Sequence, residues 1–256
     1  MLRSFLDGAA FGASSGDGPA RALLLHGWRR THADFDVAAD GLAGAGVASV
    51  ALDLPGFGAT PAPPAPLGAR GYADVLGPLL GDLAAQAGPV VLVGHSFGGR
   101  VATCLAARRP DDVAAMVLTG VPLVRGALPK GRASRRYQAV RALARWHLVS
   151  EERLESARRR HGSADYRAAT GVMRGVLVAS INESYEAELA AVRCPVVLLW
   201  GARDTTVPVA VAEAARGILG DATVEVLDGV GHLVPTEAPV ALRDATLSLV
   251  ADGGAR

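Results

Sequence analysis

The sequence predicts an α/β fold: a doubly wound, mostly parallel sheet of the eight-stranded type, carrying a helical insertion. Three observations lead there. Short apolar, β-branched runs alternate with longer helical stretches, the pattern of βαβ crossovers. One Gly-x-Ser-x-Gly, Gly94–Gly98, joins such a run to a helical one. Residues 122–190 then break the alternation with Arg- and Ala-rich sequence that reads as helices over 134–148, 151–161 and 164–180.

Composition bounds the class. A chain of 256 residues suits one large domain with an insertion, here a core of residues 1–121 and 191–256 and a cap of residues 122–190. Half the residues are apolar but only 5% are aromatic, so the core must come from helices packed through small side chains. A net charge of +1 gives no general pull toward nucleic acid. No apolar run is long enough to span a membrane. The opening Met1–Asp7 meets charge too early for a secretory signal. Cys104 and Cys194 are scattered and outside metal-ligand spacing, which suits a reducing, cytoplasmic setting.

Along the chain, residues 1–20 read as an entry strand or two and a Gly-rich turn. Ala22–Leu25 is a buried strand ending at His26-Gly27-Trp28, followed by a helix over 33–45 with Asp34 and Asp36 near its N-terminus. Val47–Leu52 is the next strand, and the proline-rich 61–66 is a connector, too poor in donors for either element. A helix over 69–87 ends at Gly88-Pro89. The Val90–Val93 strand, the helix after Ser96 and the Val113–Thr119 strand follow. After the insertion come strand Val196–Trp200, helix Val209–Leu219, strand Thr223–Leu227 and helix Pro239–Val250.

Strand, Gly-x-Ser-x-Gly and helix together make a nucleophile elbow, a turn tight enough to lift the Ser96 hydroxyl above the sheet. The motif alone is weak, since Gly12-Ala13-Ser14-Ser15-Gly16 also fits. Asp17-Gly18-Pro19 follow that copy, so no helix starts there and it reads as a flexible turn. A serine hydroxyl needs a base, a group orienting the base, and donors for the developing oxyanion. Asp204 lies in the loop after the Val196–Trp200 strand and His232 in the loop after the next strand. The order Ser96, Asp204, His232 is the one this architecture uses. No acidic residue occurs between Asp112 and Glu151, so no rival carboxylate follows the Val113–Thr119 strand.

These residues carry a resemblance. With His26-Gly27-Trp28, Asp53–Gly58, Gly94–Gly98, Gly201–Pro208 and Gly231-His232, the chain resembles the α/β-hydrolase superfamily, in particular its cap-bearing serine esterases, C–C bond hydrolases and cofactor-free perhydrolases. The resemblance implies oxyanion donors at the backbone N–H groups of Trp28 and Phe97, no cofactor and no metal. It also implies a helical cap after the strand at 113–119. A serine at the elbow speaks against the relatives that need an aspartate nucleophile.

Simpler roles suit the remaining polar residues. His95 should be structural and turned from Ser96, and His26 should brace the oxyanion loop. Asp53 should bind backbone N–H groups of the Pro55-Gly56 turn, while His32, His147 and His161 should be surface or cap residues. Trp28, Phe97 and Trp146 are candidates for the acyl pocket. From Arg125 to Arg174 there are 13 Arg and Lys against 4 Asp and Glu, leaving −8 on the rest of the chain. That charge fits a solvated face more readily than an anion sensor. The expected function is hydrolysis of an ester or lactone of a small molecule through an acyl-enzyme. A C–C hydrolase or perhydrolase with the same triad, and a non-enzymatic receptor retaining the pocket, are the alternatives. An acidic carrier protein as partner is a weaker expectation.

Overall fold

The computed structural model describes residues 2–128, 150, 153 and 164–253. Its centre is an eight-stranded sheet built from β1 (Leu2–Phe5), β2 (Ala10–Ser15), β3 (Ala22–Leu25), β4 (Ser49–Asp53), β5 (Val90–His95), β6 (Val113–Thr119), β7 (Val196–Gly201) and β8 (Ala222–Leu227). The spatial order is β1-β2-β4-β3-β5-β6-β7-β8. β1 and β2 pair antiparallel, as do β2 and β4, and every pairing from β4 through β8 is parallel.

Parallel strands covered on both faces need apolar side chains on both, which is why their sequence reads as unbroken apolar runs. The two-residue period sorts them. Leu23, Leu25, Leu92, Met116, Leu118, Leu198 and Trp200 enter one core layer; Leu24, Val91, Val93, Val117 and Leu199 enter the other. The first layer is covered by α2 (Ala69–Ala87) and α3 (Phe97–Arg108), the second by α1 (Asp36–Gly44) and the long C-terminal helix Pro239–Gly253. The sheet is doubly wound as expected.

The switch in winding direction positions the site. β3 lies between β4 and β5, so the chain leaves its carboxyl end toward opposite sides, opening a crevice there. His26-Gly27-Trp28 leaves β3 at that crevice and Ser96 leaves β5 beside it, with Leu25 and Gly94 in register.

Between β6 and β7 the described chain contains α4 (Ala164–Ala168), α5 (Gly171–Asn182) and α6 (Glu186–Ala191). The expected helix over 164–180 is thus two, parted at Thr170, which is extended (φ −125°), and Gly171, which is left-handed (φ +52°). The helices expected over 134–148 and 151–161, with Trp146, His147 and His161, lie outside the described residues. α6 was not anticipated; its Leu189 is fully buried in the first core layer. After β7 come α7 (Val209–Arg216), then β8, α8 (Val234–Glu237) and α9 (Pro239–Gly253).

Gly12–Gly16 is a further correction. It is not a flexible turn: Gly12 to Ser15 belong to β2, paired with Leu52 to Ser49 of β4. A Cβ on Gly12 would fall 2.3 Å from the Ala51 carbonyl oxygen, so glycine here serves close strand packing.

Candidate active site

Ser96 sits between β5 and α3 with φ +48° and ψ −108°, backbone that costs a non-glycine residue about 1–3 kcal/mol. The surrounding structure holds it there. Ser96 N–H donates to the Thr119 carbonyl (2.9 Å), and Gly98 N–H donates to the His26 carbonyl (3.0 Å), tying the elbow to the β3 loop. The two elbow glycines have distinct reasons. A Cβ on Gly94 would lie 2.5 Å from Gly99 Cα in the helix, and one on Gly98 would lie 2.1 Å from the Leu25 carbonyl oxygen in β3.

Asp204 and His232 meet directly. His232 Nδ1 lies 2.7 Å from Asp204 Oδ2. The other carboxylate oxygen, Oδ1, accepts N–H bonds from Thr206 (2.9 Å) and Val207 (2.8 Å), so the carboxylate is oriented by its own loop. The His232 loop is clamped by Glu237, whose carboxylate accepts the N–H of Gly231 at 2.6 Å and that of Leu233 at 3.0 Å. Sequence reasoning passed over Glu237; the available signal was an acid in the first turn after a glycine-flanked histidine. Tight packing brings these loops together, since a Cβ on Gly201 would lie 2.1 Å from the Gly231 carbonyl oxygen.

His232 approaches the elbow through its neighbour. The His95 and His232 rings are 4.9 Å apart, centroid to centroid, and Gly120 (φ +57°) backs both, a Cβ there falling 2.9 Å from His232 Nδ1. Among the described residues Ser96 Oγ makes no hydrogen bond to His232. His95 Nδ1 pairs with the Thr119 carbonyl at 3.1 Å, and burial, then the adjacent His232, lower its pKa to about 3.

On the β3-loop side of the elbow, the backbone N–H groups of Trp28 and Phe97 have no hydrogen-bond acceptor among the described residues. His26 Nε2 accepts the Leu54 N–H (2.9 Å), so its proton is on Nδ1, which donates to the Gly27 carbonyl (2.7 Å). Burial lowers the His26 pKa to about 4, keeping it neutral for this bracing work. Edge-on aromatic pairs set the loop's outer side: Trp28 with Phe57 at 5.0 Å, Trp28 with Phe97 at 5.5 Å, and Tyr72 with Phe97 at 5.0 Å.

Two expectations need correction. Asp53 does not serve the Pro55-Gly56 turn, whose Gly56 N–H bonds to Thr60 and Pro61 carbonyls. It accepts the N–H groups of Ala59 (2.8 Å) and His32 (2.8 Å). His32 is not a bare surface residue either, because its Nδ1 lies 2.8 Å from Asp53 Oδ1. Burial alone would raise the Asp53 pKa, but these donors outweigh it and hold the carboxyl below its ordinary value. Asp53 closes the sheet tip because β4 delivers it between two loops, a meeting no local pattern encodes.

A cavity of about 410 Å³ opens above the elbow, lined by Trp28, Ser96 and Phe97 and, on the far side, by Leu177 and Ile181 of α5 with Thr205–Val207.

Residues 22–245 match the sequence model of the alpha/beta hydrolase family. The chain belongs to that family. It is a hydrolase, and the resemblance read from its motifs was correct. It is 32% identical over 235 residues to a pimeloyl-[acyl-carrier protein] methyl ester esterase of Aromatoleum aromaticum, covering 82% of this chain and 90% of that protein. It is 45% identical over 104 residues to lipase LipV of Mycobacterium tuberculosis, a match spanning 40% of this chain and only 37% of the lipase. Among solved structures, a serine hydrolase involved in carbazole degradation superposes with a TM-score of 0.73 at 19% identity, covering 98% of each chain. That likeness speaks for the fold. No helix among the described residues is long and apolar enough to cross a membrane.

Proposed function

We propose that this hydrolase is a serine esterase that cleaves a carboxylic ester or lactone of a small molecule through an acyl-enzyme on Ser96. The observation carrying this reading is the Asp204–His232 pair at 2.7 Å, its carboxylate locked by two backbone N–H groups, with the His232 ring 4.9 Å from that of His95, the residue before the strained elbow serine. His232 Nε2 takes the Ser96 proton as Oγ attacks the carbonyl, and Asp204 holds the Nδ1–H tautomer and stabilises the imidazolium. The free N–H groups of Trp28 and Phe97 receive the oxyanion, each contributing about 3–4 kcal/mol to the barrier reduction. The leaving alcohol takes the proton from His232. Water activated by the same imidazole then releases the acid.

In this reading residues 122–190 are the cap, with α4 and α5 forming the pocket's roof. The esterase of Aromatoleum aromaticum, similar over most of both chains, supports ester chemistry. We assign the activity to the cytoplasm because Cys104 and Cys194 are both unbridged. The test is p-nitrophenyl acetate hydrolysis and fluorophosphonate labelling of wild type and Ser96→Ala. Wild type should turn over and label, and Ser96→Ala should lose about 10⁴-fold in kcat and all labelling. Near-intact turnover in Ser96→Ala removes Ser96 as the nucleophile. Labelling without turnover on a panel of esters and lactones favours a ligand receptor instead.

An acyl-carrier-borne substrate is a second reading, favoured by the net positive charge between Arg125 and Arg174. Equal salt slopes of kcat/KM for carrier-bound and free esters would remove it.

A further inference from the structure

Arg100 is a guanidinium out of place for a purely structural role. It stands one helical turn beyond Ser96 on α3 and lines the same cavity. Its Nη1 donates to the Ser180 carbonyl (3.2 Å) and Nη2 reaches the Pro122 carbonyl at 3.5 Å. It packs over the Tyr185 ring at 5.5 Å. Its Nε is buried with no hydrogen-bond partner, and among the described residues no carboxylate forms an ion pair with it.

The nearby acids are committed elsewhere. Glu183 accepts the Ala69 N–H (2.8 Å) at the start of α2 and the Tyr185 hydroxyl (2.8 Å). Asp165, also lining the cavity, faces Arg29 at 3.6 Å. Arg125 adds positive charge, binding the Ile181 carbonyl at the cavity wall. Burial, the largest influence, weakens Arg100's hold on its proton, and the nearby charge of Glu183 and the Tyr185 hydroxyl offset this only in part. A half-buried guanidinium whose Nε has no acceptor is costly unless something compensates it in the working state.

We infer that the substrate supplies the missing anion: the ester cleaved at Ser96 carries a carboxylate on its acyl portion, and Arg100 recognises it. Resting on the esterase reading, this names its substrate class, a half-ester of a dicarboxylic acid. The acyl portion is the part that stays tethered to Ser96, and Arg100 is about 6 Å further along the same helix axis. A spacer of three or four methylenes bridges that separation once the arginine side chain reaches back.

The experiment compares kcat/KM for p-nitrophenyl hemiglutarate and p-nitrophenyl valerate, matched in acyl length and differing in the terminal charge. Wild type should prefer the hemiglutarate at least tenfold, the range of one charge-assisted contact. Arg100→Met should bring the ratio to one or below, and Arg100→Lys should keep part of it. If Arg100 only braced α5, both esters would fall together and the ratio would hold, overturning the inference; so would a wild-type preference for valerate. Calorimetry of glutarate binding to Ser96→Ala gives a readout free of chemistry, and binding should vanish in Ser96→Ala/Arg100→Met. Arg100-dependent glutarate binding with no ester turnover would sink the esterase reading, and the half-ester substrate with it, leaving Arg100 only as a carboxylate-binding residue. Valerate turnover with no hemiglutarate preference would do the reverse. Should Arg100→Met fail to fold, Arg100→Lys and the wild-type ratio decide.

Discussion

Replacing Asp204 by asparagine isolates the orienting role we propose for the carboxylate without changing its shape. Oδ1 of Asp204 accepts two backbone N–H groups, from Thr206 and Val207, and Oδ2 faces His232 Nδ1 at 2.7 Å. In Asp204→Asn the amide oxygen must stay with the two backbone donors. Turning it away would strand both and cost about 1–3 kcal/mol for each. The NH2 group therefore points at Nδ1, which must become an acceptor, and the imidazole proton moves to Nε2. That tautomer cannot take the Ser96 proton. We expect kcat for p-nitrophenyl acetate to fall by about 10⁴-fold, roughly 5 kcal/mol of barrier, with little change in thermal unfolding. Asp204→Ala should lose similar activity but also stability, about 1–3 kcal/mol, because the buried Val207 N–H loses its acceptor while the more exposed Thr206 N–H can turn to water. A folded Asp204→Asn enzyme within tenfold of wild-type kcat would refute the tautomer argument and, with it, the place of Asp204 in the chemistry.

Other outcomes follow from the same geometry. Ser96→Gly should abolish turnover yet raise the free energy of unfolding by about 1 kcal/mol in denaturant titrations, since glycine accepts φ +48° without strain; a loss of stability would contradict the strain assignment. Gly98→Ala should destabilise by more than about 2 kcal/mol and impair activity, because its Cβ meets backbone oxygens of Leu25 and His26 that cannot retreat, and melting at the wild-type temperature would disprove that. Glu237→Gln, which leaves one flanking N–H of His232 without an acceptor, should lower kcat about tenfold with KM little changed in steady-state assays. His26 and His95 are held neutral, with pKa values near 4 and 3, below the unfolded value of 6.5. Their contribution is complete above pH 6.5 and fades as pH falls toward 4, because the unfolded chain then binds protons the native one refuses. Each site should steepen acid destabilisation by up to about 1.4 kcal/mol per pH unit, and urea titrations of His26→Gln between pH 7 and 4 should show a flatter profile than wild type.

How far the sequence could be read depended on how local the cause was. The α2 helix at 69–87 and the β6 strand at 113–119 emerge with the expected limits, because side-chain periodicity and the Gly88-Pro89 stop act within a few residues. The helix expected over 33–45 starts instead as a short 3₁₀ turn, His32–Phe35, before α1 at Asp36. His32 is drawn to Asp53, a partner 21 residues away. The single helix expected across 164–180 broke where an extended Thr170 and a left-handed Gly171 intervene. The second Gly-x-Ser-x-Gly became β2 because β4 offered it a partner, which no motif records.

What the sequence determined alone is the alternation of strand and helix, the doubly wound class, and the residue types at strand tips from which chemistry can be built. Those follow from period and turn chemistry, which are written in consecutive residues. Tertiary structure alone decided that Asp204 reaches His232, that Glu237 and Asp53 anchor the loops around them, and that Arg100 lines the cavity above Ser96 with its Nε unpartnered and, among the described residues, no carboxylate in an ion pair with it. The Glu237 and Asp53–Ala59 contacts close loops over four to six residues, whereas the Asp204–His232 pair and the Asp53–His32 contact join loops from different strands, which only the strand order brings within reach of one another.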